Sequence, residues 1–132
     1  MMDVLRVMTS RRTELVDVTH QVERAIEKSG MREGVCYLYV PHTTAGVIIN
    51  EHFDPDVAGD LEGVFDRLVP RVGPYRHAEG NSDSHAKAVL TGASQMIFVE
   101  DGKLALGRWQ GIFFCEFDGP RERKLWVKLL EE

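Results

Sequence analysis

Cysteine is scarce in this chain: Cys36 and Cys115 are the only two among 132 residues. A disulfide-stapled scaffold is thereby excluded, because such folds depend on several bridges. Each cysteine lies in an apolar, strand-like run, where a reduced thiol packs as a small hydrophobe. A single bridge between them stays open at the level of sequence. No apolar run is long enough to cross a bilayer as a helix, so no membrane partner is expected. The N-terminal residues Met1-Met2-Asp3-Val4-Leu5 lack a basic region followed by an apolar one. They predict no signal peptide and, by default, a cytoplasmic location. Positive charge is not in excess either. Sixteen Lys and Arg face 21 Asp and Glu, a net charge of −5, which argues against a nucleic-acid partner. There is no Walker loop, dinucleotide fingerprint or serine nucleophile elbow, and no internal repeat, linker or low-complexity segment.

What is present suits one domain over residues 1–132, long enough to bury a core without covalent staples. Weak alternation predicts strands over 4–9 and 14–18. Thr19 is a fair N-cap for a helix to Ser29, with Val22, Ala25, Ile26 and Ser29 on its buried stripe and Gly30 as its stop. Residues 34–42 read as a strong strand, β-branched and aromatic, that ends at Pro41. Thr43-Thr44-Ala45-Gly46 is a small-residue turn, and 47–51 returns as a strand. Asp54-Pro55-Asp56 opens a helix, with Asp54 as N-cap and Pro55 at the first helical position. Its apolar positions run from Val57 to Leu68, and Pro70 ends it. Residues 95–99 and 104–106 flank Glu100-Asp101-Gly102-Lys103, which has hairpin chemistry. Residues 112–117 are apolar on both faces, so this strand is either central or covered by another subunit. Glu116 within it needs a partner, because an unpaired buried carboxylate is costly. The alternation of Leu125, Val127 and Leu129 favours strand for the last run.

The stretch from His77 to His85 looks built for chemistry. Two histidines bracket two carboxylates, an amide, two hydroxyls and a glycine. As ordinary core, every polar group in it would need its own partner. A helical pattern follows, with Ala86, Val89 and Leu90 able to share one face. Ser82 or Asp83 is the expected N-cap, which puts His85 in the first turn. Backbone N–H groups at such a start favour an anion.

His42, His77 and His85 all sit at element ends beside polar turns. Three neutral imidazoles with an open fourth position form a catalytic zinc-type set. Their spacing follows no compact metal motif, and His42 equally fits a half-buried, hydrogen-bonded core histidine. Glu51, Glu79 and Asp83 are candidates to orient the imidazoles. Glu116 is a candidate general base. Arg121 and Arg123 could receive a phosphate, or form a solvated charged turn.

Several stretches together resemble the YjbQ-like family, also called the secondary thiamine-phosphate synthase family. They are Pro41-His42-Thr43-Thr44-Ala45-Gly46 with Asn50-Glu51, Asp54-Pro55-Asp56, the His77 to His85 run with Gly92, the run from Leu104 to Ile112, and Glu116-Phe117-Asp118-Gly119-Pro120-Arg121. They fall in the expected order over nearly the whole chain. The resemblance implies an α+β fold with a strongly curved, mostly antiparallel sheet flanked by helices, assembled as a homotrimer. It implies a site near the subunit interface where His42, His77 and His85 bind a divalent metal ion such as zinc, nickel or magnesium. Candidate contacts to a small phosphorylated metabolite are Thr43, Thr44, Asn50, Asn81, Ser82, Ser84, Trp109, Gln110 and Arg121, and Glu51 and Glu116 are the candidate catalytic carboxylates. The implied activity is a weak thiamine-phosphate synthase reaction, joining a pyrimidine-methyl pyrophosphate to a thiazole phosphate and releasing pyrophosphate. Metal-dependent hydrolysis of a phosphorylated metabolite and a non-catalytic trimeric binding role are the alternatives.

Overall fold

The computed structural model describes residues 2–132. Met1, with which the N-terminal reading begins, lies outside the described residues. Strands β1 (Met2–Met8) and β2 (Glu14–Asp17) precede helix α1 (Thr19–Ser29). Strands β3 (Gly34–Tyr39) and β4 (Ala45–Glu51) follow, then helices α2 (Pro55–Leu68) and α3 (Ser82–Thr91). Strands β5 (Ser94–Glu100), β6 (Lys103–Leu104), β7 (Gln110–Glu116) and β8 (Glu122–Glu131) complete the chain.

The strands form a five-stranded sheet, β1-β8-β3-β5-β6, and a three-stranded sheet, β2-β7-β4. Every pairing is antiparallel. The fold is α+β, a strongly curled antiparallel sheet with helices, as expected. Strand alternation decides what the curl encloses. Cys36, Leu38, Ile97, Val99, Leu125 and Val127 point inward from the larger sheet. They meet Val47, Ile112 and Phe114 of the smaller one and Val22 and Ile26 of α1. On the other side of β7, Phe113, Cys115 and Phe117 pack with Leu15 and Ala88 against Leu61 and Phe65 of α2. Strand β7 is thus central and buried on both faces, one of the two options its composition allowed. Cys36 and Cys115 are both buried free thiols.

Local rules hold where they are strongest. Asp54 accepts from the Asp56 N–H at 2.9 Å and caps α2. Asp101 and Gly102 take the positive φ values, 52° and 77°, that a tight hairpin turn between β5 and β6 requires. Helix α3 departs from its expected form in two ways. Its N-cap is Asn81, without a side-chain cap hydrogen bond, rather than Ser82 or Asp83. Its buried face carries Asp83, Ser84 and Lys87, while Val89 and Leu90 face outward. The polar residues win the interior because partners from distant segments meet each of them.

Candidate functional site

The corner between α2 and α3 rests on a buried ionic frame. Arg12 donates two hydrogen bonds to Asp83, at 3.0 and 3.1 Å, and a third contact reaches Ser84 Oγ at 3.3 Å. Lys87 Nζ, only 1% exposed, bridges Asp83 Oδ2 at 3.0 Å and Asp66 Oδ1 at 2.9 Å. Burial alone would raise the Asp83 pKa, but the hydrogen bonds and charges of Arg12 and Lys87 outweigh it and hold it at about 2. Ser84 Oγ donates to the Phe117 carbonyl. Asp83 and Ser84 are therefore fastening residues, and Ser84 has no hydroxyl hydrogen left for a ligand.

Around this frame the corner stays open. His77 and His85 come together with ring centroids 5.4 Å apart, edge to face. His77 and Glu79 are exposed, with Nε2 and Oε1 3.9 Å apart. Asn81 Nδ2 donates to Asp118 Oδ2 at 2.9 Å, while its buried Oδ1 meets no partner. Arg121 Nε donates to the Asp118 carbonyl at 3.0 Å, and half of its side chain remains exposed. The backbone N–H groups of Ser82 and Asp83 meet no acceptor among the described residues. An uncapped helix start beside a half-exposed guanidinium, whose Nη2 lies 3.3 Å from Asp118 Oδ2, is a place where an anion is stabilised.

The expected set of three imidazoles does not assemble within the chain. Among the described residues, no three His, Cys, Asp or Glu side chains converge in a way that could hold a metal ion. His42 is the missing member. Its Nε2 accepts the Lys124 N–H at 2.9 Å, and its ring meets Phe114 edge to face. Burial, then the positive field of Arg123, lowers its pKa. A neutral ring whose Nε2 accepts carries its proton on Nδ1, so neither nitrogen offers a lone pair. His42 presents an N–H donor instead.

Glu116 also leaves the role first considered for it. Arg123 grips it through Nε, at 2.8 and 3.1 Å, and through Nη2. Thr9 Oγ1 at 2.8 Å and the Asp118 N–H at 3.0 Å complete its shell. Its burial, which favours the neutral acid, is outweighed by the Arg123 hydrogen bonds, so the pKa is lowered. A buried carboxylate with every lone pair engaged and a lowered pKa does not take a proton from water. The pairing also removes Arg123 from the predicted phosphate-binding couple. Arg123 Nη2 reaches Thr44 Oγ1 at 2.8 Å as well, so Thr44 is buried architecture.

The remaining sequence candidates lie elsewhere. Thr43 and Asn50 are exposed. Asn50 Oδ1 accepts the Glu51 N–H, and Glu51 accepts the Asp54 N–H at 3.2 Å. Gln110 Oε1 accepts from Gly107 N. Trp109 is exposed, at 5.1 Å from Phe53 and with Arg108 stacked over it at 4.7 Å. Sequence reasoning missed Arg12 and Lys87. For Arg123 a signal existed, since it shares strand parity with the buried Leu125 and Val127. For Lys87 one existed too, since Asp83 lies four residues before it on the same helix; for Arg12 none did, because Asp83 is 71 residues away.

A family model described as UPF0047 protein YjbQ-like matches residues 3–132. A UPF0047 protein of Methanocaldococcus jannaschii is 49% identical over 125 residues, covering 95% of this chain and 91% of that one. The UPF0047 protein YugU of Bacillus subtilis is 46% identical over 131 residues, covering 98% and 99%. Among solved structures, a YjbQ/UPF0047-family protein of Clostridium acetobutylicum superposes with a TM-score of 0.94 at 48% identity, covering 97% of this chain and 99% of that one. A YbjQ-like protein of Sulfolobus solfataricus gives 0.95 at 38% identity, covering 100% and 97%.

Proposed function

Because the chain belongs to the YjbQ-like UPF0047 family, we propose that it carries weak thiamine-phosphate synthase activity, coupling a pyrimidine-methyl pyrophosphate to a thiazole phosphate with release of pyrophosphate. The observation that carries this reading is the uncapped start of α3 beside the half-exposed Arg121. Cleavage of the carbon–oxygen bond leaves a pyrophosphate whose charge must be compensated in the transition state. The free N–H groups of Ser82 and Asp83 and the Arg121 guanidinium supply that compensation. The His42 Nδ1–H and the Thr43 hydroxyl are further donors for phosphate oxygens. Little covalent work is asked of the protein.

Incubation of the protein with both substrates should yield thiamine phosphate above the uncatalysed background. Arg121→Ala should lower the rate roughly a hundredfold to a thousandfold, as loss of one charge-stabilising donor does. A folded wild-type protein that forms no product under any divalent ion would end this reading.

A divalent metal ion, whether zinc, nickel or magnesium, enters the proposal only through His77 and His85. Two imidazoles make an incomplete catalytic set, and no step is routed through the ion. Equilibrium dialysis against zinc or nickel should load the wild type and leave His77→Ala at background. Equal loading of both would remove metal from the proposal.

We also propose a homotrimer. The outer face of the five-stranded sheet exposes Val4, Tyr37, Tyr39, Met96, Phe98 and Leu130 without a covering layer. Contiguous apolar surface of this kind marks an association face. The commitment of Glu116 to Arg123 favours, as a second reading, a non-catalytic trimer that binds a phosphorylated metabolite. Glu51 is the one carboxylate of the original pair still available for hydrolysis of such a metabolite. Ligand saturation without turnover would select the binding role.

A further inference from the structure

The five-stranded sheet ends on β1, which has a neighbour on one side only. Two hydrogen bonds fix which of its backbone groups are spent. The Glu132 N–H donates to the Glu33 carbonyl at 3.0 Å, and the Thr9 N–H to the Arg121 carbonyl at 3.0 Å. In the registers of β8, the first bond turns its even-numbered residues toward β3, and the second turns Arg123, Leu125 and Val127 toward β1. Asp3, Leu5 and Val7 therefore bond to β8, whereas Met2, Val4, Arg6 and Met8 aim their N–H and C=O groups outward. No bulge or proline interrupts β1, and Met2, Val4 and Met8 are 46%, 47% and 68% exposed. Arg6, the one charge on its outer side, is held by Glu122 at 2.6 Å. Native sheets usually blunt a long edge of this kind, because it is a template for another strand.

Below the edge, α1 forms one wall of a groove of about 360 Å³. Leu5 and Ala25 line it together with Gln21, Arg24, Lys28 and Asp3. Arg24 and Lys28 are exposed. Among the described residues the only charged contact on α1 joins His20 to Glu23, so both cations are unpaired, with Asp3 the single carboxylate of the lining. Arg24 and Lys28 lie four residues apart on one helix face, about 6 Å along its axis. Every second side chain of a strand falls on one face at roughly 6.8 Å. Carboxylates at alternate positions of an added strand match the two cations. Asp3 and Lys28 also line an adjoining groove of about 400 Å³, with Met31, Val127 and Leu129 as its apolar wall, which suits an apolar side chain next to the acidic ones.

We propose that the open edge of β1 and its groove against α1 dock an extended acidic segment of a partner protein. The segment adds a strand to the sheet: its backbone pairs with Val4 and Arg6, and its inward carboxylates meet Arg24 and Lys28. A second copy of this chain fits less well. Pairing β1 with itself about a two-fold axis places both α1 helices on the same side of the joined sheet, with Arg24 and Lys28 turned toward their own counterparts. The surface uses no residue of the α3 corner and does not depend on the synthase reading.

Fluorescence anisotropy tests this on the full chain with a labelled peptide of alternating valine and glutamate. Binding should fall about tenfold when lysine replaces glutamate in the peptide, the effect of two exposed ion pairs. The double variant Arg24→Glu, Lys28→Glu should reverse that preference. Methylating the peptide nitrogens that face β1 should abolish binding. Val4→Pro should do the same with the melting temperature nearly unchanged, since the Val4 N–H makes no bond to β8 and proline is tolerated at such an edge. The acidic peptide should also slow hydrogen exchange at the Val4 and Arg6 amides of the wild type, a reading that needs no variant to fold. Equal binding of acidic and basic peptides, full binding of the methylated peptide, or no binding at millimolar concentration would each overturn the assignment. So would Val4 and Arg6 amides already protected in the free protein in proportion to its concentration, the sign of a second copy on the edge.

Discussion

Glu116→Gln is expected to destabilise the protein by about 3–5 kcal/mol, the usual cost of removing one partner of a buried ion pair. The Arg123 guanidinium is 3% exposed and Glu116 is wholly buried, so the substitution strands a charge where water cannot reach it. Thr9 and the Asp118 N–H lose a charged acceptor at the same time. The loss should appear as a lower denaturant midpoint with an unchanged slope. Replacing both members, as in Glu116→Met with Arg123→Leu, should recover part of it. Removing both charges together removes the uncompensated one, although Thr44 Oγ1 loses the Arg123 donor it meets in the wild type. A double variant no more stable than Glu116→Gln would argue that the pair itself, and not the stranded charge, sets the cost. Because the folded pKa of Glu116 is lowered, its contribution is present above the unfolded carboxylate value and falls away on acidification.

The second large effect is expected at Asp83. Asp83→Asn leaves Lys87 buried with only Asp66 as counter-charge and removes the bidentate partner of Arg12. A loss of about 3–5 kcal/mol follows from the same reasoning. The acid response gives an independent check. The folded pKa is about 2, against an unfolded value of roughly 3.9. The unfolded state therefore takes up the proton first as pH falls. The ionised carboxylate stabilises fully above the unfolded value, and that stability declines from about pH 5 down through pH 2. The difference of roughly two pH units corresponds to about 2.6 kcal/mol. Chemical denaturation across this range should give a shallower acid limb for Asp83→Asn than for the wild type. Parallel limbs would mean that another carboxylate governs acid unfolding.

The Asp83 effect arises from side chains that look, by composition, like surface. The run from His77 to His85 was legible as unusual, and it does adjoin the candidate site. Its division of labour was not. Asp83 and Ser84 turn inward to hold the corner, whereas His77 and Glu79 stay in water. Arg12 and Asp83 are 71 residues apart, and no local pattern can match a buried carboxylate to its counter-ion at that distance. The same limit applies to His42. Its place at an element end beside a polar turn was legible, but only the neighbouring β8 backbone spends its Nε2 on the Lys124 N–H.

The amino-acid order alone determined what depends on near neighbours: the Asp54-Pro55 start of α2, the Asp101-Gly102 turn, the alternating faces of β3, β5 and β8, the two-sided apolarity of β7, and family membership through motifs in series. The tertiary structure decided which polar groups are spent and which are free. Backbone conformation responds to steric and hydrogen-bonding preferences within a few residues. The fate of a carboxylate or an imidazole depends on whether the curl of the sheet brings a counter-charge, a backbone N–H or only water to its side.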